Sequence, residues 1–381
     1  MIYFDNAATS FPKPQSVIRE VNRAISYYCG NPGRGAHTLS RYSAQKVYET
    51  RELVANFLGI DAPENVCFTY NDTYAINMAL KGLLRKGDHV IISDMEHNAV
   101  YRPIQKMADD GLITYSIFDS MCLSDRRSPT RICSKIARHF RPNTRMVMVN
   151  HMSNIVPYSL PLREIGAFCH RHNLIFAVDA AQSAGHIPIN IKEMNIDVLC
   201  APAHKGLMGI QGCGILAFSD NKEFDIDTII EGGGGVNSLS PNMPDFLPER
   251  LEAGTLSVPS IAALGEGIKF INKIGIDEIH SYECGITKRI SDMISSIRGI
   301  KIYAPLCQGS LLLFNIDGIP SESLADTLDK HGICVRAGLH CAPLAHKTLG
   351  TGDNGAVRVS VSPFNSQNDI EALYFAIKNI K

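Results

Sequence analysis

Short apolar runs alternate with segments of helical periodicity between residues 65 and 179. The runs read as strands with the sequences VCFTY, HVIIS, ITYSIF, MVMVN and LIFAV, and the helices between them are predicted from Thr73, after His97, near 129–140 and near 161–172. This alternation is typical of a mostly parallel sheet covered by helices. The pattern therefore predicts an α/β fold for this part of the chain.

The chain outside this region has a different pattern. Residues 1–12 read as an extended segment, and helices are predicted from Pro14 and over about residues 41–58. Four consecutive glycines at 232–235 open a loop that ends the alternating region. The rest of the chain shows two long amphipathic helices, at about 257–273 and 276–298, and then mixed strand and helix patterns.

The length of 381 residues predicts two domains, because it exceeds the size at which one hydrophobic core keeps growing. We expect a large α/β domain over residues 13–250. A smaller α+β domain is expected from residues 1–12 together with residues 251–381. The leading segment is assigned to the smaller domain because a short strand needs a sheet with which to pair.

Composition and charge exclude several classes of partner. Lys+Arg 37 against Asp+Glu 38 leave a formal net charge of -1, without the basic block that nucleic acid or an anionic membrane would require. No apolar run approaches the roughly 18 to 20 residues that span a bilayer, and the amino terminus does not resemble a signal peptide. The eleven cysteines are irregularly spaced without a CxxC pair, so we expect neither disulfides nor a metal site. A reducing cytoplasm is the expected compartment.

A carboxylate and a lysine follow two of the apolar runs. Asp179 closes LIFAV, and Lys205 comes shortly after the strand-like run at 198–201. In an open α/β sheet the carboxyl ends of the strands form the edge where ligands bind. An acid that faces a pyridine nitrogen and a lysine that forms a Schiff base are the pair that pyridoxal 5′-phosphate (PLP) chemistry requires. These two residues therefore predict a PLP site.

Other polar residues stand at the same kind of turn. Asp72 and Thr73 lie between a strand and a helix, where the helix N-terminus can hold phosphate, although an ordinary cap has the same sequence. His97 can stack on a flat cofactor or simply cap a helix. Asn154 and Gln182 can bond a ring hydroxyl, or they can form local turns.

Two residues near the carboxyl terminus are candidates for the substrate chemistry. Cys341 follows a glycine turn close to Arg336 and His340, and such surroundings favour a nucleophilic thiolate. The alternative is a small buried hydrophobic residue. Arg358 can bind a carboxylate in a bidentate manner through its guanidinium group, or it can form a structural ion pair.

Taken together, these segments resemble the class V aminotransferase family of fold-type I PLP enzymes, and within it the cysteine desulfurases. The similarity spans nearly the whole chain, and the segment around Cys341 resembles the Arg-x-Gly-x-His-Cys-Ala version found in desulfurases with a short catalytic lobe. The segments that carry the resemblance are DNAAT at 5–9, RGAHT at 34–38, EH at 96–97, HMSN at 151–154, DAAQ at 179–182, HKG at 204–206, EAGT at 252–255 and RAGLHCA at 336–342.

The resemblance implies a role for each matched residue. In the cofactor site, Lys205 would form the Schiff base, Asp179 would face the ring nitrogen and His97 would stack on the ring. The remaining cofactor contacts would be Asn154 and Gln182 near the ring hydroxyl, and Asp72, Thr73, His204 and Thr255 near the phosphate, with Thr255 coming from a neighbouring subunit. The substrate, L-cysteine, would be bound by Arg358, Arg34 and Asn6, and Cys341 would accept its sulfur. The resemblance thus implies a homodimer, with a protein sulfur acceptor as a possible further partner.

Three positions depart from the family pattern. Pro202 replaces a Ser or Thr that contacts phosphate in many relatives, and it has neither a hydroxyl nor an N–H to donate. Asp72 adds a negative charge beside the phosphate-binding Thr73, and Gly33 replaces a histidine. Two other functions therefore stay open. One is an enzyme of the same scaffold without sulfur transfer to protein, such as a selenocysteine lyase, a cystine C–S lyase, an epimerase or a transaminase; the other is a catalytically silent PLP-binding sulfur carrier.

Overall fold

The computed structural model describes residues 1–33, 35–120, 129–304 and 309–380. The strands in these ranges are β1 (Ile2–Tyr3), β2 (Val66–Thr69), β3 (His89–Ser93), β4 (Thr114–Phe118), β5 (Thr144–Asn150), β6 (Ile175–Asp179), β7 (Val198–Pro202), β8 (Gly214–Phe218), β9 (Ile300–Tyr303), β10 (Leu311–Ile316), β11 (Ile333–Cys334), β12 (Arg336–Gly338) and β13 (Ala356–Ser360). The α-helices are α1 (Gln15–Arg23), α2 (Thr38–Leu58), α3 (Asp72–Leu83), α4 (Asn98–Asp109), α5 (Pro129–Ala137), α6 (Leu162–Arg171), α7 (Val258–Ile274), α8 (Ile276–Ser295), α9 (Ser321–Lys330), α10 (Pro343–Leu349) and α11 (Gln367–Lys378).

A seven-stranded sheet forms the centre of the molecule, in the order β2-β8-β7-β6-β5-β3-β4. Strands β3 to β7 are parallel, and β8 runs antiparallel to both β7 and β2. The central strands are buried on both faces, which explains why their sequences are continuous apolar runs. The prediction of an α/β fold with a mostly parallel sheet is confirmed.

The register of the sheet brings the ends of the central strands together. Asn150 pairs with Asp179 across β5 and β6, and Asp179 pairs with Cys200 across β6 and β7. Since all three strands run in the same direction, the loops that follow them emerge at one edge. This edge is where the predicted Asp179 and Lys205 lie.

Helix α7 packs with the large sheet. Its Val258, Ile261, Leu264 and Ile268 belong to the same apolar cluster as the sheet residues, and the helix lies against α1 and α2. The expected division after residue 250 stays a prediction, and the packing of α7 favours a later position for the boundary.

The carboxyl-terminal part of the chain forms a second, smaller sheet. Strands β12, β13, β10 and β9 are neighbours in an antiparallel sheet with its own apolar cluster, which includes Phe4, Leu312 and Phe314. The amino terminus lies against this unit, because β1 pairs with β11 and Asp5 forms a bridge with Ser360. Helices α8 and α11 pack against each other in the same unit.

Helix α2 begins three residues earlier than the sequence pattern predicts, at Thr38 instead of about residue 41. His37 is its N-cap, and the Nδ1 of that histidine accepts a hydrogen bond from the Ser40 N–H. Histidine is not among the preferred capping residues, so the pattern did not indicate this start. None of the helices in the described ranges is long and apolar enough to cross a membrane.

Candidate active site

A cavity of about 110 Å³ lies at the carboxyl edge of the large sheet. It is lined by residues from the loops after β2, β3, β5, β6 and β7. All the predicted cofactor-binding residues except Thr255 are in this lining, which contains Asn71, Asp72, Thr73, His97, Ala99, Asn150, Met152, Asn154, Asp179, Ala181, Gln182, Pro202, His204 and Lys205. The tertiary structure therefore gathers residues that are up to 134 positions apart into one site, from Asn71 to Lys205.

Asp179 and Lys205 form the charged centre of the cavity. The Oδ1 of Asp179 accepts a hydrogen bond of 2.9 Å from the Ala181 N–H, which fixes the carboxylate at the end of β6. Burial lowers the pKa of Lys205, and the negative charges of Asp72 and Asp179 oppose that effect. Burial also raises the pKa of Asp179. A lysine with a lowered pKa has the free amine that Schiff-base formation needs.

His97 is the N-cap of α4, and its ring is held neutral. Its Nδ1 accepts a hydrogen bond of 3.0 Å from the Ala99 N–H, so the ring proton sits on Nε2. Burial lowers the pKa of His97 to about 4, and the charge of Lys205 acts in the same direction. A neutral, fixed imidazole beside Lys205 is suited to stack on an aromatic cofactor.

The N-terminus of α3 and the His204 ring form a polar end of the cavity. Asn71 caps α3 by accepting from the Tyr74 N–H at 3.1 Å, and Thr73 lies in the first turn. The Nδ1 of His204 is buried and has no hydrogen-bond partner among the described residues. A free imidazole nitrogen beside a helix N-terminus fits a phosphate group. Pro202, at the end of β7, adds no donor to this end of the cavity.

Asp72 is the unusual member of this polar end. Its Oδ1 is buried, and no described residue donates a hydrogen bond to it. Burial raises the pKa of Asp72 well above its usual range, and the nearby Asp179 charge raises it further. An Asp72 carboxyl that keeps its proton would donate a hydrogen bond to a phosphate instead of repelling it.

Asn154 and Gln182 are anchored while they face the cavity. The Nε2 of Gln182 donates to the Ala7 carbonyl at 2.9 Å, and the Nδ2 of Asn154 donates to the His340 carbonyl at 2.6 Å. The Asn154 Oδ1 is buried and unpartnered within the described chain. The unpartnered Asn154 Oδ1 can bond the ring hydroxyl of PLP, and the unpartnered His204 Nδ1 can bond its phosphate. The residues present therefore fit that cofactor.

Arg358, the predicted substrate clamp, is buried and already forms two contacts. Its Nη2 donates to Asp5 Oδ1 at 2.8 Å and its Nη1 donates to the Asn154 carbonyl at 3.0 Å. The Nε is buried and finds no acceptor in the part of the chain that the structure describes. The Nε–H of the guanidinium group is therefore unpaired within the described chain and can donate to a substrate carboxylate.

Cys341 is exposed and lies on the turn between β12 and α10. The Cys341 carbonyl accepts a hydrogen bond of 2.7 Å from the N–H of Asn98, the first residue of the helix that His97 caps. The side chains of Arg336 and His340, expected to activate the thiol, are engaged elsewhere: Arg336 binds Asp5 and His340 bonds His346. The expected activation by these two side chains is therefore not seen in their hydrogen bonds.

Two further predicted residues, Asn6 and Thr255, lie outside the cavity lining. Asn6 is buried, and it bonds the Ser360 carbonyl and the Phe11 N–H, so it holds the amino-terminal segment in place. Thr255 is exposed and lines a separate pocket that also contains Tyr70 and Leu251. Arg34 lies outside the described residues. The roles of these three residues stay predictions.

The sequence pattern indicates no role for Glu96 or Asp5, although both residues belong to segments that match the family. Glu96 is completely buried; its Oε1 accepts from the Ser93 hydroxyl and from the Asn150 N–H at 3.0 Å. Burial raises the pKa of Glu96 to about 8. The only sequence signal for Glu96 is its acidic side chain directly before His97. The burial of that carboxyl arises from the packing of β3 on β5, which the local sequence does not show.

Comparison with known proteins gives the class to which this fold and site belong. The family model for Aminotransferase class-V matches residues 2–373. The chain therefore belongs to the class-V aminotransferase family, as its sequence segments predict.

The similar proteins within this family are cysteine desulfurases. Probable cysteine desulfurases of Methanothermobacter thermautotrophicus and Pyrococcus abyssi are 34% and 32% identical to the chain, each over 100% of the chain and 94% of the relative. Among solved structures, the apo cysteine desulfurase of Thermococcus onnurineus has a TM-score of 0.89 at 30% identity and covers 99% of this chain and 94% of its own. The cysteine desulfurase CsdA of Escherichia coli has a TM-score of 0.87 at 26% identity, with 98% and 93% covered.

Proposed function

We propose that this protein is a PLP-dependent cysteine desulfurase that converts L-cysteine to L-alanine and holds the sulfur as a persulfide on Cys341. The observation that carries the proposal is the bond between the Cys341 carbonyl and the Asn98 N–H, because it ties the exposed thiol to the helix that begins beside Lys205 and His97. A nucleophilic thiol next to a Schiff-base lysine is what removal of sulfur from an amino acid requires.

Lys205, Asp179 and His97 would hold the cofactor ring, and Thr73 and His204 would hold its phosphate. Bound there, PLP supplies an electron-accepting ring that stabilises negative charge at the Cα atom of an amino acid. The Asp179 carboxylate would keep a proton on the ring nitrogen. The Lys205 amine would take the proton from the Cα atom of the bound amino acid, hold it, and deliver it again later in the reaction.

Arg358 and Cys341 would act on the substrate itself. The Arg358 Nε would bind the substrate carboxylate and so orient the side chain of the bound cysteine toward the thiol. The Cys341 thiolate would attack the substrate sulfur, so that an S–S bond forms and the Cβ–S bond breaks. The electron pair of the broken bond stays on the substrate carbon, which is protonated and leaves as alanine.

The decisive experiment compares Cys341→Ala with Cys29→Ala, since Cys29 is also an exposed free cysteine. We expect Cys341→Ala to bind PLP with the absorbance band of the parent protein but to lose sulfide release from L-cysteine by about 100-fold or more. Cys29→Ala should keep the parent rate. Unchanged turnover by Cys341→Ala would contradict the proposal.

A second candidate is a C–S lyase or selenocysteine lyase that works without Cys341. It is favoured by one observation, namely that Cys341 is absent from the lining of the cavity that contains Lys205. Product analysis with cysteine, selenocysteine and cystine would separate the two functions. A lyase would release its product from cystine or selenocysteine equally well before and after Cys341→Ala.

We also propose that two copies of the chain complete each site. Thr255 is expected to contact phosphate, yet it is exposed and lies apart from the cavity of its own chain. Mixing Lys205→Ala chains with Thr255→Ala chains tests this arrangement. If Thr255 acts on the neighbouring subunit, the hybrid dimer regains one intact site; if it acts within its own chain, activity stays at the level of Thr255→Ala.

The sulfur acceptor and the compartment complete the proposal. Cys29 and Cys341 are exposed free thiols, which suits a reducing cytoplasm. The exposed position of Cys341 would let an acceptor protein approach its persulfide. Crosslinking through that persulfide would capture such a protein, and quantitative release of free sulfide would argue against one.

A further inference from the structure

The turn that carries Cys341 has an unfavourable backbone. His340 and Cys341 have φ angles of 50° and 56°, so two consecutive residues with side chains adopt the left-handed conformation. Such a conformation costs roughly 1 kcal/mol or more per residue and persists only where surrounding contacts hold it. Their carbonyls are held by Asn154 and Asn98, as described above. Further contacts restrain the His340 side chain.

A chain of hydrogen bonds runs from β12 through two histidine rings to the end of α10. The His340 Nε2 lies 3.2 Å from the Arg336 carbonyl, and its Nδ1 lies 3.1 Å from His346 Nε2. The His346 Nδ1 lies 2.7 Å from the Thr351 hydroxyl. Both rings are buried and nearly parallel, with 11° between their planes.

With both rings neutral, only one arrangement of protons satisfies the whole chain of hydrogen bonds. The Arg336 carbonyl can only accept, so His340 must carry its proton on Nε2 and accept at Nδ1. His346 must then donate from Nε2 and accept at Nδ1, which leaves the Thr351 hydroxyl as the donor. A second proton on His340 would stop its Nδ1 from accepting from His346, and a second proton on His346 would turn its Nδ1 from an acceptor into a donor toward Thr351.

The surroundings keep both rings neutral. Burial lowers the pKa of His340 to about 3 and that of His346 to about 4, and the Arg358 charge acts on both in the same direction. The hydrogen bond to the Arg336 carbonyl opposes this lowering of the His340 pKa, and the Arg336 charge adds to it by a smaller amount. The chain of hydrogen bonds therefore stays intact at neutral and alkaline pH.

We propose that His346 is a positioning residue for Cys341: by donating to His340 and accepting from Thr351, it locks the left-handed turn and so aims the thiol at the substrate. This inference rests on the proposed function, since it concerns the same thiol. His346 itself lies outside the cavity lining, and it acts only through His340. A misplacement of about 1 Å at a reacting atom can slow a reaction about 100-fold.

Three substitutions test the chain. His346→Phe keeps a ring but removes both bonds, Thr351→Val removes only the terminal donor, and Thr351→Ser keeps the hydroxyl. In the holoenzyme we expect His346→Phe to lower kcat for sulfide release about 10- to 100-fold with KM within about twofold. Thr351→Val should lower kcat less, and Thr351→Ser should restore it to the parent level. A parent-like kcat for His346→Phe, or equal losses in Thr351→Val and Thr351→Ser, would overturn the proposal.

Two controls separate positioning from general damage. In a Cys341→Ala background, His346→Phe should leave PLP affinity and the absorbance change on adding L-cysteine unaltered, because the chain of hydrogen bonds acts through the thiol. A further loss of PLP affinity or of that absorbance change would overturn the proposal. In apo-protein labelled with ¹⁵N-histidine, NMR should show His340 and His346 as neutral Nε2–H tautomers from pH 6 to 9. A charged ring or the other tautomer would also overturn it. The NMR result does not depend on desulfurase activity, so it distinguishes failure of this inference from failure of the proposed function.

Discussion

Arg358 and Asp5 form a buried ion pair that links β13 to the amino-terminal segment, with Arg358 Nη2 and Asp5 Oδ1 2.8 Å apart. Asp5 also accepts from Arg336, so one carboxylate binds two guanidinium groups. The bonds from Arg358 to Asp5 and to the Asn154 carbonyl fix the orientation of its guanidinium group and leave the buried Nε–H unpaired within the described chain. The amino-terminal segment therefore sets the direction in which Arg358 can bind a substrate.

We predict that Arg358→Lys raises KM for L-cysteine about tenfold or more, because a compact ammonium group cannot reproduce the fixed, planar donor geometry with which the guanidinium group binds Asp5 and faces the substrate carboxylate. The effect on kcat should be smaller, provided the cysteine still binds in the same orientation. Arg336→Lys is the matched control: its guanidinium binds the same Asp5, but its side chain is 51% exposed. Steady-state kinetics check both variants, and equal KM changes in the two would contradict a special role for Arg358.

We predict that Asp72→Asn tightens PLP binding, and more so at high pH. The pKa of Asp72 is raised by burial and by Asp179, so the carboxyl is neutral at low pH and ionises as the pH rises. An ionised Asp72 would repel the cofactor phosphate, whereas the amide keeps the shape without the charge. Titration of apo-protein with PLP should show affinity falling with pH more steeply in the parent, with a difference of about tenfold at pH 8.5, or about 1.4 kcal/mol. Parallel pH curves would refute this prediction.

Glu96 should make the apo-protein less stable as the pH rises. Its pKa is raised to about 8 in the folded protein, mainly by burial, while an unfolded glutamate titrates near about 4.3. The folded state therefore binds a proton that the unfolded chain releases, and stability falls between about pH 4.3 and about pH 8 and then levels off. Glu96→Gln can still accept from Ser93 and Asn150 but has no proton to lose.

Urea unfolding at several pH values measures this effect. The free energy of unfolding of the parent should fall more steeply between pH 5.5 and pH 8 than that of Glu96→Gln. The difference between the two curves isolates Glu96 from other titrating groups. A constant difference across the range would mean that Glu96 is ionised in the folded protein.

The buried ion pair of Arg51 and Glu252 should contribute to stability because each of the two charges has its partner. Arg51 donates to both carboxylate oxygens, at 2.7 and 2.9 Å, and Glu252 also accepts from the Phe68 N–H. Glu252→Ala leaves the Arg51 charge buried and unpaired, so the free energy of unfolding should fall by about 3 to 5 kcal/mol.

The matched control is Glu193→Ala, which removes the partner of Arg163 in an exposed ion pair. That change should lower the free energy of unfolding by about 1 kcal/mol or less. Urea unfolding of the two variants side by side gives the comparison. Similar losses in both would show that burial does not decide the contribution of the Arg51 pair.

The periodicity of the sequence predicts the large sheet, and the residues at the ends of its strands predict the centre of the site. Continuous apolar runs of strand length can only be buried between layers of helices, so the parallel sheet followed from periodicity. Polar residues at the ends of parallel strands must meet at one edge, which predicted that Asp179, Lys205, His97 and Thr73 share a cavity. These inferences depend on local pattern and on the geometry of strands alone.

The contacts around Arg358 and Cys341 depend on the tertiary structure. Asp5 and Arg358 are 353 residues apart, and Asn154 and His340 are 186 apart. Contacts at such separations depend on how the smaller sheet and the amino terminus pack beside the large sheet, which no local periodicity encodes. For the same reason the side chains of Arg336 and His340, which are close to Cys341 in sequence, bond Asp5 and His346 instead of the thiol. The left-handed turn that exposes Cys341 exists because these distant groups hold it.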